Sequence, residues 1–125
     1  MSDRKSPAVL IVEDEWLVRM ELVDAFDALG FRVIESASAE HALEILEALP
    51  DIVLLVTDIR LTGPLDGWSL AIEARAMIPS LAVVYLSANP PALDRIVEGG
   101  VFIDKPALME KVTQAALRLL ESASS

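Results

Sequence analysis

Four short apolar segments of the chain are each followed by a side chain that can do chemistry. Glu13 and Asp14 follow residues 9–12, Asp58 follows residues 52–57, Ser87 follows residues 81–86, and Lys105 follows residues 101–104. If these segments lie side by side, three carboxylates meet and repel one another, which raises the pKa of at least one of them. A divalent cation removes that cost, and hard carboxylate oxygens suit Mg²⁺. The Lys105 ammonium and the Ser87 hydroxyl could then hold a phosphoryl group at the same place.

Each of these residues also has an ordinary structural explanation. Carboxylates between a strand and a helix, such as Glu13 and Asp14, often cap the helix. Asp58 could be a solvated turn residue, Ser87 could cap a following helix, and Lys105 before a proline could be a surface residue. What favours chemistry is that all of them stand at the ends of apolar segments.

The apolar segments themselves predict buried parallel strands. Continuous apolar runs of this length are typical of strands covered on both faces, and helical patterns separate them. We predict strands at about 8–12, 31–35, 52–57, 81–86 and 101–104, and helices at about 15–29, 38–49, 68–78 and 107–121, with a short fourth helix after residue 91. Gly30 is expected to end the first helix and Ser36 or Ser38 to cap the second. Parallel strands place their carboxyl ends at one edge, where open α/β sheets bind ligands.

Composition narrows the class of protein. The 125 residues predict a single domain, with a core at about 7–121 between a polar start and a serine-rich frayed end. A hydrophobic content of 54% argues against disorder. A net charge of −10 argues against binding nucleic acid or an anionic membrane. The chain has no cysteine, which excludes disulfides and thiolate metal sites. No apolar run is long enough to span a membrane, and the polar start lacks a signal core, so we expect a cytoplasmic protein.

In order and spacing, these residues resemble the receiver domain of two-component response regulators, over nearly the whole chain. The resemblance implies a flavodoxin-like, doubly wound α/β fold with five parallel strands in the order 2-1-3-4-5 and five helices, of which the fourth is shortened. It also implies a role for each site residue, as well as a peptide bond before Pro106 that is often cis. Glu13, Asp14, Asp58 and the backbone carbonyl of Arg60 would bind Mg²⁺, Asp58 would accept the phosphoryl group with Lys105 and Ser87 beside it, and Ser87 and Phe102 would form the switch.

The same resemblance implies how such a protein works. A histidine kinase or a histidine phosphotransfer protein would supply the phosphoryl group, and a downstream protein would recognise the phosphorylated state. The protein would not be an enzyme, although it could hydrolyse its own acyl phosphate. The leading interpretation is a stand-alone receiver, with a phosphate sink or a receiver fragment of a hybrid kinase as alternatives.

Two further classes of protein fit the sequence less well. An aspartate-nucleophile phosphatase needs a second acid two residues after the nucleophile, where this chain has Arg60. A flavin-binding protein of the same fold needs a phosphate-binding loop after the first strand, and the acidic residues 13–15 would repel a phosphate there.

The chain departs from the family between Ser87 and Lys105, where it is shorter by roughly one helical turn. Pro90 and Pro91 occupy part of what remains and disfavour helix before them. Many receivers dimerise or signal through this region. We therefore do not expect that mode to carry over.

Three apolar residues of the first helix, Trp16, Met20 and Val23, form a stripe nearly opposite the predicted core stripe at positions 18, 22, 25, 26 and 29. They could be scattered surface residues. We hypothesise instead that they contact a kinase or phosphotransfer protein, or form a homodimer. Arg60 and Asn89 could lean over the phosphoryl group, while His41 is expected to be an ordinary surface residue.

Overall fold

Five parallel strands form one sheet in the order β2-β1-β3-β4-β5 in the computed structural model, which describes residues 6–124. The strands are β1 (Ala8–Val12), β2 (Arg32–Ser36), β3 (Ile52–Asp58), β4 (Ala82–Ser87) and β5 (Val101–Asp104). All residues of β1 and β4 are buried, and only one residue of β3 is not. The predicted strand order is confirmed, and each predicted strand end lies within one residue of the observed one.

In the described part of the chain, four α-helices cover both faces of the sheet: α1 (Trp16–Ala28), α2 (Ala39–Ala48), α3 (Gly67–Met77) and α4 (Met109–Ser124). Successive residues of a strand point to opposite faces, so the strands supply two apolar cores. Val9 and Ile11 of β1 belong to the core with residues of α1 and α4, whereas Leu10 and Val12 belong to the core with residues of α2 and α3. The fold is therefore doubly wound, and all strands end at the same edge.

Local signals explain where several helices begin and end. Gly30, just after α1, has φ +89°, which glycine adopts without strain, and this agrees with the prediction. Ser38 caps α2 by accepting the backbone N–H of His41 at 3.2 Å. Asp66 caps α3 in the same way, accepting the N–H of Ser69 at 2.8 Å. The sequence analysis treated Asp66 only as a loop residue.

The predicted number of helices is wrong by one. Between β4 and β5 the chain forms a single 3₁₀ turn, Leu93–Arg95, where a shortened fourth α-helix was expected. Pro90 and Pro91 have no N–H groups for a helix, and too few residues remain to form one. The helix expected to be the fifth is thus α4, and it continues to Ser124, past the predicted end at residue 121.

Two further expectations concern the ends of the chain and the core. Leu29, which was placed in the core stripe of α1, is 47% exposed because it lies just beyond the last helical turn.

The polar start at residues 1–5 and the last residue, 125, lie outside the described residues. Within residues 6–124, no helix combines the length and the apolar character needed to cross a membrane.

Candidate functional site

Three carboxylates come together at the carboxyl edge of the sheet. Glu13 and Asp14 follow β1, and Asp58 ends the neighbouring strand β3. One oxygen from each of the three lies within 4.8 Å of the other two. Glu13 is fully buried and Asp58 nearly so, at 8% exposure, whereas Asp14 is exposed. The structure thus brings together the three acidic residues that the sequence analysis selected, with Asp14 open to solvent.

Lys105 reaches the same cluster from the end of β5. Its Nζ donates a hydrogen bond to Oε1 of Glu13 at 2.8 Å and lies 3.3 Å from Oδ2 of Asp58. Burial alone would lower the pKa of Lys105, but the hydrogen bond to Glu13 and the two negative charges outweigh it and raise the pKa. The ammonium group therefore stays charged. The peptide bond between Lys105 and Pro106 is cis.

Glu13 is the most constrained of the three acids. Burial raises its pKa, and the hydrogen bonds from Lys105 and from the backbone N–H of Glu15, the latter at 3.1 Å, offset this only in part. The charge of Asp58 also raises it. Glu13 is thus a buried carboxylate whose ionised form depends on nearby positive charge.

Asp58 is held at its base by the backbone. Its Oδ1 accepts the N–H of Ile59 at 2.7 Å, which leaves Oδ2 on the side of Lys105. Gly67, the first residue of α3, packs directly on this turn and donates its N–H to the carbonyl of Ile59 at 2.7 Å. A Cβ atom on Gly67 would collide with the carbonyl oxygen of Asp58 and would lie 2.8 Å from Cα of Ile59. The sequence analysis missed this requirement, although a glycine directly after the cap residue Asp66 was a usable signal.

The loop between β3 and α3 supplies two more groups. Thr62 donates from Oγ1 to Oδ2 of Asp14 at 3.0 Å, a contact that the sequence analysis did not anticipate. Arg60 is exposed, and within residues 6–124 its side chain makes no ion pair.

Ser87 ends β4 at the same edge and is buried at 3% exposure. Its hydroxyl oxygen accepts the N–H of Asn89 at 3.1 Å, and its carbonyl oxygen accepts the N–H of Lys105 at 2.8 Å. The first contact closes a turn, and no helix begins there, so the alternative explanation of Ser87 as a helix cap is wrong. It uses an oxygen lone pair, so the hydroxyl proton remains available as a donor.

Phe102 on β5 is one of three aromatic rings that pack together in the core with residues of α2 and α3. It stacks on Trp68 with ring centroids 6.1 Å apart and an angle of 11° between the planes. Trp68 in turn lies against Tyr85, with centroids 4.8 Å apart. The Tyr85 hydroxyl accepts the N–H of Val97 at 3.0 Å, and burial raises the pKa of this tyrosine. The sequence analysis selected Phe102 but neither of its two aromatic neighbours.

The stripe predicted on α1 is partly wrong. Trp16 and Met20 are exposed, at 60% and 41%, as predicted, whereas Val23 is partly buried and packs on the core. Leu17, at 66% exposure, extends the apolar surface in its place. His41 is exposed, as expected, and its Nδ1 lies 3.2 Å from Oγ of Ser36.

A cleft of about 300 Å³ lies beside Lys105, between α1 and the loop that leads into α4. Its lining is mainly apolar and includes two glutamates from the α1 side. The residues that line it are Glu15, Val18, Glu21, Leu86, Ala88, Lys105, Pro106, Ala107 and Met109.

Comparison with known proteins agrees with this architecture. A family model described as the response regulator receiver domain matches residues 9–117. The chain belongs to this family. Its acidic cluster, central aspartate and Lys105 therefore stand in a receiver domain, a module of two-component signalling, as the sequence analysis predicted.

Relatives of this receiver domain occur in proteins of different size. It is 34% identical to the aerobic respiration control protein ArcA of Escherichia coli K12, over 93% of this chain and 49% of ArcA. It is 32% identical to the sensor kinase CckA of Brucella abortus, over 93% of this chain and 13% of CckA. The chain thus spans about half of one relative and a small part of the other.

Solved structures show the same fold. A response regulator receiver protein from Sinorhizobium medicae WSM419 superposes with a TM-score of 0.88 at 28% identity, covering 96% of this chain and 98% of that one. The receiver domain of the hybrid histidine kinase CckA superposes with a TM-score of 0.80 at 30% identity, covering 90% and 98%.

Proposed function

We propose that this receiver domain accepts a phosphoryl group on Asp58 from the phosphohistidine of a histidine kinase or a histidine phosphotransfer protein. The observation that supports this most directly is the Asp58 carboxylate at the end of a central strand, with Lys105 Nζ 3.3 Å from its Oδ2. The other oxygen is occupied by the backbone of Ile59. One carboxylate oxygen is therefore directed toward a cation and available as a nucleophile.

The donor set fits Mg²⁺. Three hard carboxylate oxygens lie within 4.8 Å of one another, and among residues 6–124 the ammonium group that pairs with them is that of Lys105, so negative charge is in excess there. Glu13, Asp14 and Asp58 would hold the ion, together with the backbone carbonyl of Arg60. When bound, Mg²⁺ neutralises charge on the phosphoryl oxygens during transfer.

The protein's own groups account for the rest of the transfer. Oδ2 of Asp58 attacks phosphorus in line, the O–P bond forms, and the P–N bond to the donor histidine breaks with its electron pair left on the imidazole. Lys105 redirects hydrogen bonds from the carboxylates to the phosphoryl oxygens, and the Ser87 hydroxyl donates to one of them. The product is an acyl phosphate, which water later hydrolyses. The domain turns over no separate substrate, and we assign it to signalling in the cytoplasm.

Ser87 and Phe102 would form the switch. If the phosphoryl group draws the Ser87 hydroxyl toward it, space opens behind that residue for Phe102. Phe102 is stacked on Trp68, so its movement must change the surroundings of that indole. In a Trp16→Phe background, where Trp68 is the remaining tryptophan, a fluorescence change on phosphorylation that is lost in Phe102→Ala would support this switch, and an equal change with and without Phe102 would exclude it.

The apolar surface of α1 would contact the phosphoryl donor. Trp16, Leu17 and Met20 are exposed, and the apolar cleft beside Lys105 lies against the same helix. A helix of a kinase or phosphotransfer protein fits such a surface, as does a second copy of this chain. Trp16→Ala with Met20→Ala should slow transfer from the protein donor but not from a small-molecule donor. If transfer rate and apparent mass both stay the same, the surface has no such role.

The output would be a downstream protein, since a net charge of −10 opposes nucleic acid and anionic membranes. The likeness to CckA favours a second candidate, a receiver segment within a larger kinase. A phosphate sink would use the same site. Arg60 makes a phosphatase of the aspartate-nucleophile type a weaker candidate, because that position lacks the second acid.

The decisive experiment is incubation with acetyl phosphate and Mg²⁺, followed by intact mass. Wild type should gain one phosphoryl group and Asp58→Asn should gain none. A phosphoryl adduct on Asp58→Asn, or none on wild type with any donor, would refute the proposal. In the same assay Arg60→Ala should change the lifetime of the acyl phosphate, whereas Arg118→Ala, an exposed arginine of α4, should not.

A further inference from the structure

The guanidinium of Arg19 touches the backbone of the acidic site from the side of α1. Its Nη1 donates to the backbone carbonyl oxygen of Glu13 at 2.7 Å, and its Nε donates to Oε1 of Glu35 on β2 at 2.9 Å. The side chain is largely buried, with 18% exposure. Short hydrogen bonds from a charged donor are among the strongest that a carbonyl accepts.

The carbonyl that Arg19 binds belongs to the peptide group between Glu13 and Asp14. That group is planar, so a hydrogen bond to its oxygen fixes the orientation of the whole peptide unit. The orientation of this unit in turn sets the direction in which the Asp14 side chain projects from the backbone. Asp14 is exposed, and its side chain is held by the Thr62 hydroxyl. The position of the exposed acid therefore depends on the backbone before it.

The remaining polar groups of Glu13 are already engaged. Its N–H donates to the carbonyl of Ser36 at 3.1 Å, and its carboxylate accepts from Lys105 and from the N–H of Glu15. Arg19 donates to the one remaining polar group of Glu13, its carbonyl oxygen, and connects this residue to β2 through the ion pair with Glu35. We infer that Arg19 is a positioning residue for divalent-cation binding, because it orients the Glu13–Asp14 peptide so that both carboxylates face Asp58.

This inference rests on the proposed function, in which the three acids hold Mg²⁺. It predicts that removal of Arg19 weakens Mg²⁺ binding, whereas simple electrostatics predicts the opposite. Removing a positive charge beside an acidic site strengthens cation binding by Coulomb's law. Loss of a residue that orients metal ligands weakens it, typically by about tenfold or more.

Titration with MgCl₂, followed by fluorescence of Trp16 and Trp68, tests the inference on the full chain. Arg19→Ala should bind Mg²⁺ about tenfold more weakly than wild type. Arg19→Lys, which keeps one charged donor, should recover part of that loss. Glu35→Gln keeps the hydrogen bond from Arg19 to the Glu13 carbonyl, so its Mg²⁺ affinity should differ from that of wild type by less than about twofold. Arg118→Ala is the matched control for loss of an exposed arginine charge and should not weaken binding.

The inference would be overturned if Arg19→Ala binds Mg²⁺ as tightly as wild type or more tightly. It would also be overturned if Glu35→Gln loses as much Mg²⁺ affinity as Arg19→Ala, because Arg19 would then act only by holding α1 against β2 through its ion pair with Glu35. If Arg19→Ala does not unfold cooperatively, Arg19→Gln replaces it with the same expectation. A wild type that takes up no phosphoryl group refutes the proposed function instead, whatever Arg19 does.

Discussion

Lys105 is the counter-ion of a buried acid, and replacing it with methionine tests that relationship. Methionine keeps the length of the side chain and removes the charge. Among residues 6–124, the N–H of Glu15 is then the remaining hydrogen-bond partner of the fully buried Glu13 carboxylate, and Asp58 loses its ion pair with Lys105. At 2.8 Å and an effective dielectric constant of about 20, the attraction between Lys105 and Glu13 is about 6 kcal/mol before the cost of desolvation. After that cost, we expect Lys105→Met to lower the free energy of unfolding by about 2–4 kcal/mol near pH 8.

The loss should depend on pH in a definite direction. Burial already places the pKa of Glu13 above its ordinary value of 4.5, and removing Lys105 raises it further. A group whose pKa is higher in the folded protein favours folding below its unfolded pKa, and this contribution is lost as the pH rises through the folded pKa. The destabilisation by Lys105→Met should therefore be smaller at about pH 5.5 than at about pH 8, since a larger fraction of Glu13 is protonated at the lower pH.

Urea unfolding followed by tryptophan fluorescence, in buffer with EDTA, measures this difference at both pH values. Lys111→Met, an exposed lysine of α4, is the control and should change stability little at either pH. Adding Glu13→Gln to Lys105→Met should restore part of the lost stability, because it removes the uncompensated charge. A destabilisation that is equal at the two pH values, or absent at the higher one, would refute this account of the site.

Three further substitutions test the elements that support the site. Gly67→Ala should cost about 3 kcal/mol of unfolding free energy, because its Cβ would lie 2.8 Å from Cα of Ile59; a cost below about 1 kcal/mol would contradict the packing. Tyr85→Phe should cost about 1 kcal/mol and speed hydrogen exchange of the amide of Val97, which loses its acceptor; unchanged exchange would contradict this. Ser38→Ala should cost about 1 kcal/mol through loss of the α2 cap, measured by thermal unfolding; unchanged stability would exclude a capping role.

Much of the fold was predictable because strands and helices leave local patterns. Apolar runs located all five strands to within one residue, and Gly30 and Ser38 marked helix ends by chemistry that acts within a few residues. The predicted short fourth helix was wrong, although its shortening and the two prolines were recognised. Prolines disfavour a helix locally. Whether a short segment still forms a helix depends on how it packs against the rest of the fold, because short helices are marginally stable by themselves.

That segment is held by contacts from distant parts of the chain. Arg75 on α3 donates to the carbonyl of Glu98 at 2.9 Å, and Arg95 donates to Ser69 Oγ at 3.1 Å. The Tyr85 hydroxyl fixes the backbone at Val97. None of these partners is near the others in sequence, so no periodicity or turn signal could reveal them.

By itself, the sequence determined which residues stand at the carboxyl ends of the strands, since strand positions follow from apolar runs and the parallel arrangement from the helices between them. Residue type then indicated the chemistry of Asp58 and Lys105. Only the tertiary structure decided which acid is buried, which is exposed and which cation pairs with each, because these properties depend on contacts between elements that are distant in sequence. It made Glu13 the buried partner of Lys105, left Asp14 exposed, and placed Arg19 on the backbone between those two acids.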